Sequence, residues 1–436
     1  MTDECAASKR TGAGGGAWDG DGARGGDGAR GGDGARGGDG TGTGTGAGGD
    51  GGADAEPERS RIGRLGPWAL ALTGVIGAAV ALAIRPADAA AAAGQDWSPF
   101  VLVSGLLLIG LVASDEGLFA AAGHQLARVA RGGGVLFIGA TVMIGVVTAT
   151  LNLDTSVAFL TPVLVYTARS RGGGEAALLY GCLLLSNAGS LFLPGSNLTN
   201  LIVLGHFHLG GAGFLDRMWA PALAALVVTA AVVAGFEHRG LRMSAGDLTR
   251  PERPVLGLGL IAVVIATVLV VALPSPALPV AVTGLAATGI RLLTGRDRLP
   301  HVAGELGVPT LAGLFGVAVA LGTLGRAWAG PAVLLSHLGL WGTAAVAAAG
   351  SVLVNNLPAA SLLAARTPGH PFALLIGLNL GPNLFVTGSL AWLLWLRAAR
   401  SAGARPSLAR ASRIGAVAVP LSMAAALAVL ALTGSQ

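Results

Sequence analysis

The chain has 436 residues, is 53% hydrophobic and only 12% charged, and has a mean hydropathy of +0.68. A water-soluble domain of that length carries far more charge, so composition excludes one and points to a membrane protein. The net charge of +5 comes from arginines at the ends of apolar segments, as in cytoplasmic loops, and gives no reason to expect nucleic-acid binding.

Residues 1–60 come first, and they are polar and glycine-rich. Residues 21–38 read DGARGG three times, followed by TGTGTG. Such a segment buries too little apolar surface to offset its ordering entropy and is read as a disordered tail. It has no apolar core region, so the first apolar run is expected to be a retained helix rather than a cleaved leader.

Apolar runs follow near 67–84, 98–114, 134–150, 155–168, 175–205, 217–236, 255–273, 276–293, 308–325, 331–349, 351–365, 371–396 and 413–433. In a bilayer their backbones must be satisfied internally, so helices are expected. Arginines precede the first run, follow the second, occupy the loop near 237–253, follow the eighth and precede the last. The positive-inside rule then puts the N-terminus in the cytoplasm and the C-terminus outside the cell membrane. Trp68, Trp97, Trp219 and Trp341 fall near run ends, as interfacial anchors do.

The central loop divides the membrane domain into a first repeat, 61–240, a cytoplasmic linker, 241–254, and a second repeat, 255–436. Residues 187–196 read NAGSLFLPGS and 379–389 read NLGPNLFVTGS, the same N-x-G and L-F-x-x-G-S with one residue added. Upstream, each half has another polar break in an apolar run: Asn152-Leu153-Asp154-Thr155-Ser156 and Asn355-Asn356-Leu357-Pro358. Discontinuous helices in matching positions of two halves are the sequence mark of a transporter binding site. Unwound backbone is tolerated at that depth only where it meets protein or a watery cavity.

The candidate site is therefore the set of breaks: Asn152, Asp154, Thr155, Ser156, Asn187, Gly195, Ser196, Asn197, Asn355, Asn356, Asn379, Asn383, Thr387, Gly388 and Ser389. A lone serine or threonine in such a helix usually bonds its own i−4 carbonyl. Seven amides in apolar runs ask for a shared reason. Asp154 is the one carboxylate in any break. An ionised Asp at a helix centre costs roughly 2.5–3.5 kcal/mol, so a proton carried at the site is expected to ride on Asp154. Capping of the next helix is its alternative role.

The two cysteines, Cys5 and Cys182, make no metal spacing, and no metal or cofactor is expected. Lys9 is the sole lysine, so a GxxxxGKS/T nucleotide loop is impossible and ATP hydrolysis could come only from a separate soluble ATPase. There is no HExxH motif and no second aspartate in the breaks, so an enzyme is not expected.

At SDEGLF (114–119), LNLDTSVAFLTPVLV (151–165), NAGSLFLPGSNLTNLIV (187–203), VNNLPA (354–359) and GLNLGPNLFVTGSLAWLLWLR (377–397), the chain resembles the arsenical pump membrane proteins of the ion transporter superfamily. The resemblance implies an all-α polytopic fold of two inverted repeats, each with a re-entrant hairpin and a broken helix. It places the first hairpin tip at Asn152–Ser156 and the first break at Gly195–Asn197. The second tip is Asn355-Asn356 and the second break Thr387–Ser389. The implied activity is export of arsenite or antimonite in exchange for protons, and dimers are usual in the wider superfamily. The family has Asn-Asn-Asp at the first tip, where this chain has Leu153. The competing reading is a superfamily carrier for a dicarboxylate or sulfate, or for sodium against protons.

Overall fold

The computed structural model describes residues 55–207, 209–241 and 257–434. The glycine-rich repeats, most of the linker at 241–254, and His208 lie outside them. Residues Pro57–Gln436 form one compact unit, to which everything below belongs.

The described residues are helical throughout, with no strand among them. In chain order, α1 spans Ala55–Ile84, α2 Pro86–Asp115, α3 Leu118–Val129 and α4 Gly133–Thr150. Next come α5 at Leu153–Ser170, α6 at Ala176–Gly189, α7 at Leu198–Leu204 and α8 at Gly211–Phe236. Beyond the central loop, α9 spans Leu258–Ala272, α10 Ala277–Leu293, α11 Leu299–Leu306, α12 Val308–Ala327 and α13 Gly330–Ser336. The chain closes with α14 at Leu340–Val354, α15 at Asn356–Leu363, α16 at Pro371–Leu380, α17 at Ala391–Ser401 and α18 at Leu408–Leu432. Among the described residues, six stretches are long and apolar enough to cross a bilayer: Pro67–Ile84, α2, α4, α8, Leu299–Ala327 and α18. Trp68, Trp97, Trp219 and Trp341 are all exposed, Trp68 and Trp341 at the start of their segments but Trp97 and Trp219 inside α2 and α8 rather than at the expected ends, whereas Trp392 and Trp395 are fully buried.

The helices near the expected tips and breaks are short. At 1.5 Å per residue α15 is only about 12 Å long and α7 about 10 Å, too short to cross. α4 and α5 fold back on each other, because Arg171 after α5 donates to the carbonyl of Ala130 before α4 at 2.6 Å. The turn between them is Leu151-Asn152. α14 and α15 fold back likewise, and Gly350 of the first lies against Ala359 and Leu363 of the second. Their turn is Asn355, the one described non-glycine residue with positive φ, at 80°. With ψ at 148° it lies outside the left-handed helical well that asparagine tolerates, in a region open almost only to glycine, so the turn is strained. The long apolar run 175–205 is split into α6 and α7 by a 3₁₀ turn at Pro194–Ser196. The run 371–396 is split into α16 and α17 by 3₁₀ turns at Gly381–Leu384 and Val386–Gly388.

The packing follows one scheme in both halves. α4 packs on α6 as α14 packs on α16, and α5 packs on α17 as α15 packs on α7, while α8 packs on α18. Exchanging α4–α8 with α14–α18 maps this set of neighbours onto itself. α2 packs outside these units, against α9, α10 and α12. At its end, Glu116 accepts from the Gly259 backbone at 2.6 Å, and Arg291 of α10 pairs with Asp115 and Glu116.

Candidate functional site

Each tip is built by an asparagine that caps the helix after the turn. Asn152 Oδ1 accepts from the Thr155 backbone at 2.7 Å, and Asn355 Oδ1 accepts from the Leu357 backbone at 3.3 Å. Asn197 does the same at the first break, accepting from the Thr199 backbone at 3.2 Å before α7. These caps satisfy helix N–H groups that would otherwise be orphaned in an apolar setting.

Each break is hooked to the tip of its own half. Ser196 Oγ donates to the carbonyl of Ala149 at 3.2 Å, and Thr387 Oγ1 donates to the carbonyl of Val352 at 2.6 Å. Each acceptor lies three residues before the capping asparagine of its tip. Asn355 adds a bond from Nδ2 to the Thr387 carbonyl at 3.2 Å.

The two halves are joined by their amides. Asn187 Nδ2 donates to Asn383 Oδ1 at 2.9 Å, and Asn383 Nδ2 donates to the carbonyl of Leu184 at 3.0 Å. Asn379 Oδ1 accepts from Ser190 Oγ at 2.6 Å and from Asn197 Nδ2 at 2.7 Å, while its Nδ2 donates to Asn200 Oδ1 at 2.7 Å. All of these side chains are buried. The shared reason for four of the seven amides is thus a network that binds half to half, with the capacity of Asn379 fully used. Asn200, a member of that network, was absent from the sequence-derived set. It lies three residues after Asn197 in an apolar run, a spacing that reads as the same helix face and nothing more.

Several polar groups at the tips and breaks remain unbonded among the described residues. They are Asn152 Nδ2, Thr155 Oγ1, Asn187 Oδ1, Thr199 Oγ1 and Ser389 Oγ, all buried. Buried polar atoms are normally satisfied, and of these five Thr155 Oγ1 belongs to a residue that also lines a cavity, where it can bond a solute. Ser156 Oγ instead shares a bond with Ser186 Oγ at 3.2 Å, and Ser186 bonds the Cys182 carbonyl four residues back. Buried Asn356 follows Asn355 at the second tip. The two glycines differ in what they permit. A Cβ on Gly388 would stand 2.5 Å from Pro382 Cα, so no side chain fits, whereas at Gly195 it would make ordinary contacts near 3.5 Å.

Asp154 and Thr155 face a cavity of about 430 Å³ closed by α2, the end of α11, Leu198 of α7 and Leu390, Leu394 and Arg397 beside or on α17. Gly110 of α2 makes room for Thr155, since a Cβ there would meet Thr155 Cγ2 at 2.3 Å. Asp154 is half-buried on this wall. Of the expected site residues, Asp154 and Thr155 line this cavity, joined by Leu198 and Leu390, which directly follow the two breaks; the remaining expected residues, Asn355, Asn356 and Thr387 among them, are not on its wall. Gly195 faces a different cavity, of about 340 Å³, whose wall includes Gln95 and Ser98 of α2.

Comparison with known proteins agrees with a transport scaffold. The citrate transporter (CitMHS) family model matches residues 61–392. The chain is 26% identical over 361 residues to an arsenical pump membrane protein of Escherichia coli, covering 74% of this chain and 83% of that protein. It is 27% identical over 316 residues to the inner membrane protein YbiR of Escherichia coli K12, covering 70% and 81%. Among solved structures, the YdaH transporter of Alcanivorax borkumensis superposes with a TM-score of 0.50 at 13% identity, covering 80% of this chain and 88% of that one, a likeness of fold.

Proposed function

The chain belongs to the citrate transporter (CitMHS) family of multi-pass membrane transporters, and from that premise we propose that it is a secondary carrier that exports arsenite or antimonite in exchange for protons. The observation that carries this reading is the wall around Asp154. It offers the carboxylate of Asp154 beside the unbonded hydroxyl of Thr155, with Glu305 as a second carboxylate at its α11 end. Arsenous acid is a neutral trihydroxide at physiological pH, and its hydroxyls can both donate to and accept from such groups. A carboxylate on the wall repels a di- or trianion but can exchange a proton with the cavity. The names of the arsenical pump relatives support the same cargo.

In this reading the halves 61–240 and 255–436 are inverted repeats, and the matched packing of α4–α8 and α14–α18 supports it. The arginine-rich loops lie in the cytoplasm and the Asp154 cavity opens toward them, because Arg397 lies on its wall. Proton exchange drives the cycle, and any ATP-driven mode requires a separate soluble ATPase.

A carboxylate carrier is the second reading. The description of the matching family favours it, as does the guanidinium of Arg397 on the same wall as Asp154. Everted vesicles distinguish the two. Arsenite uptake that follows an imposed pH gradient, without citrate uptake, is expected. Citrate uptake without arsenite uptake would reject the metalloid reading.

A further inference from the structure

α2 separates two cavities along its length. Val103, Leu107 and Leu111 face the Asp154 cavity, whereas Gln95, Ser98 and Leu102 face the cavity that reaches Gly195. α7 is divided in the same sense, with Leu198 on the first and Leu201 and Leu204 on the second. From Gln95 to Leu111 the helix rises about 24 Å, so the cavities approach the break from opposite ends of the bundle. Where they come closest the partition is thin. A Cβ on Gly195 would touch Leu106 at 3.5 Å and Leu102 at 3.7 Å, so these side chains seal the second cavity's floor against the break.

The rim of this second cavity carries a polar tie. Gln95 Nε2 donates to the carbonyl of Ile202 in α7 at 2.8 Å and to that of Ala364 after α15 at 3.3 Å. Its Oε1 accepts from Arg326 Nη2 of α12. His206 also bonds the Ala364 carbonyl, at 2.7 Å, and Arg366 donates to the Arg326 carbonyl at 2.7 Å. Buried Asp96 adjoins the cluster. Among the described residues, Gln95 is the α2 residue whose side chain hydrogen-bonds the broken-helix units. At the opposite end the corresponding helix ends are stapled differently. Arg169 in α5's last turn bonds the carbonyls of Ala402 and Gly403 beyond α17 at 2.7 and 3.0 Å. That staple joins the broken-helix units to each other and leaves α2 and α12 out.

We propose that the cavity lined by Gln95, Ser98 and Gly195 is the second vestibule of the transport path, opening on the face away from the Asp154 cavity, and that Gln95, braced by Arg326, is the latch that holds it shut. Passage of the solute past Leu102 and Gly195 requires α7 and α15 to part from α2, and the Gln95 bonds oppose that movement. The inference rests on the transport reading and not on the identity of the cargo.

The test uses the full chain with Cys5→Ser and Cys182→Ser as background and a membrane-impermeant maleimide as probe. Ser98→Cys reports the vestibule, and Ser275→Cys, exposed on the same cavity's edge, reports insertion and side. Labelling is followed in intact cells and in everted vesicles. Ser98→Cys is expected to react from the same side as Ser275→Cys, and Gln95→Ala is expected to raise its rate relative to Ser275→Cys by about tenfold, the population shift from losing one strong tie. Arg326→Gln, which releases the brace from the other side, should act in the same direction and carries the test if Gln95→Ala fails to insert. Unchanged Ser98→Cys labelling in the inserted variants, or labelling from the Asp154 side, would overturn the proposal. No solute is needed, so failure here is distinct from failure to transport arsenite.

Discussion

Asn187 and Asn383, 196 positions apart, are bonded through Nδ2 and Oδ1 at 2.9 Å in the buried centre of the molecule. Asn383 then reaches the carbonyl of Leu184, on the same helix as Asn187. The neighbouring Asn379 binds Ser190, Asn197 and Asn200. Two helix breaks that are each unstable alone thus become one structure, because the polar groups freed by one satisfy those freed by the other.

Asn379→Leu removes the acceptor for Asn197 and the donor to Asn200 and leaves Ser190 with only the Asn187 carbonyl, 2.7 Å away, as its acceptor. Each stranded buried group costs about 1–3 kcal/mol, tempered by alternative partners within the membrane. We expect a clear loss of thermal stability in detergent, larger than that from Ser190→Ala. Equal melting of Asn379→Leu and the parent would contradict the role given to the network.

Thr387→Val and Ser196→Ala each cut one hook between a break and the tip of its half. Each removes about one net hydrogen bond, or about 1 kcal/mol. The expected result is a small loss of stability together with a larger fall in transport rate, because the bonds hold the breaks against the tips. Equal proportional losses in stability and transport would reduce both residues to a packing role.

Gly415→Ala tests how closely α18 rides on the second break. A Cβ there would stand 1.9 Å from the carbonyl oxygen of Asn383, so backbone must move. Overpacking of this kind costs about 1–3 kcal/mol. Gly195→Ala, with ordinary contacts near 3.5 Å, should be tolerated far better in the same melting assay.

Glu237 is buried and accepts two bonds from Arg410, each 2.8 Å long, tying the end of α8 to α18. Arg410→Met leaves that carboxylate unpaired. Breaking a fully buried pair costs about 3–5 kcal/mol, and the half-exposed arginine brings the expectation nearer 1–3 kcal/mol. Restoration of stability by Glu237→Gln in the Arg410→Met background would identify the unpaired charge as the cause.

Much of this was legible in the sequence. The tips at Asn152 and Asn355 and the breaks after Asn187 and Asn379 stand out as polar residues interrupting apolar runs, and helices do stop there. Three of the expected asparagines cap the next helix, as short-range chemistry dictates. What could not be read is where each amide points. Asn187, Asn197, Asn379 and Asn383 read as groups awaiting a solute, and they are bonded across the halves or to nearby backbone, except for Asn187 Oδ1. The pairings across the halves span 179 or more positions, beyond any local signal. Gln95 was missed because it sits at the edge of the run at 98–114. α2 begins twelve residues earlier, at Pro86, since the alanines at 89–93 are mildly apolar but strong helix formers.

Proton-coupled metalloid export through Asp154 is open to a direct transport measurement. The measurement is arsenite uptake by everted vesicles under an imposed pH gradient, for the parent chain and Asp154→Asn, with the inserted amount of each checked. Gradient-dependent uptake is expected in the parent, with its loss in Asp154→Asn at equal insertion. Absence of arsenite uptake under any gradient, or undiminished gradient-dependent uptake in Asp154→Asn, would contradict it.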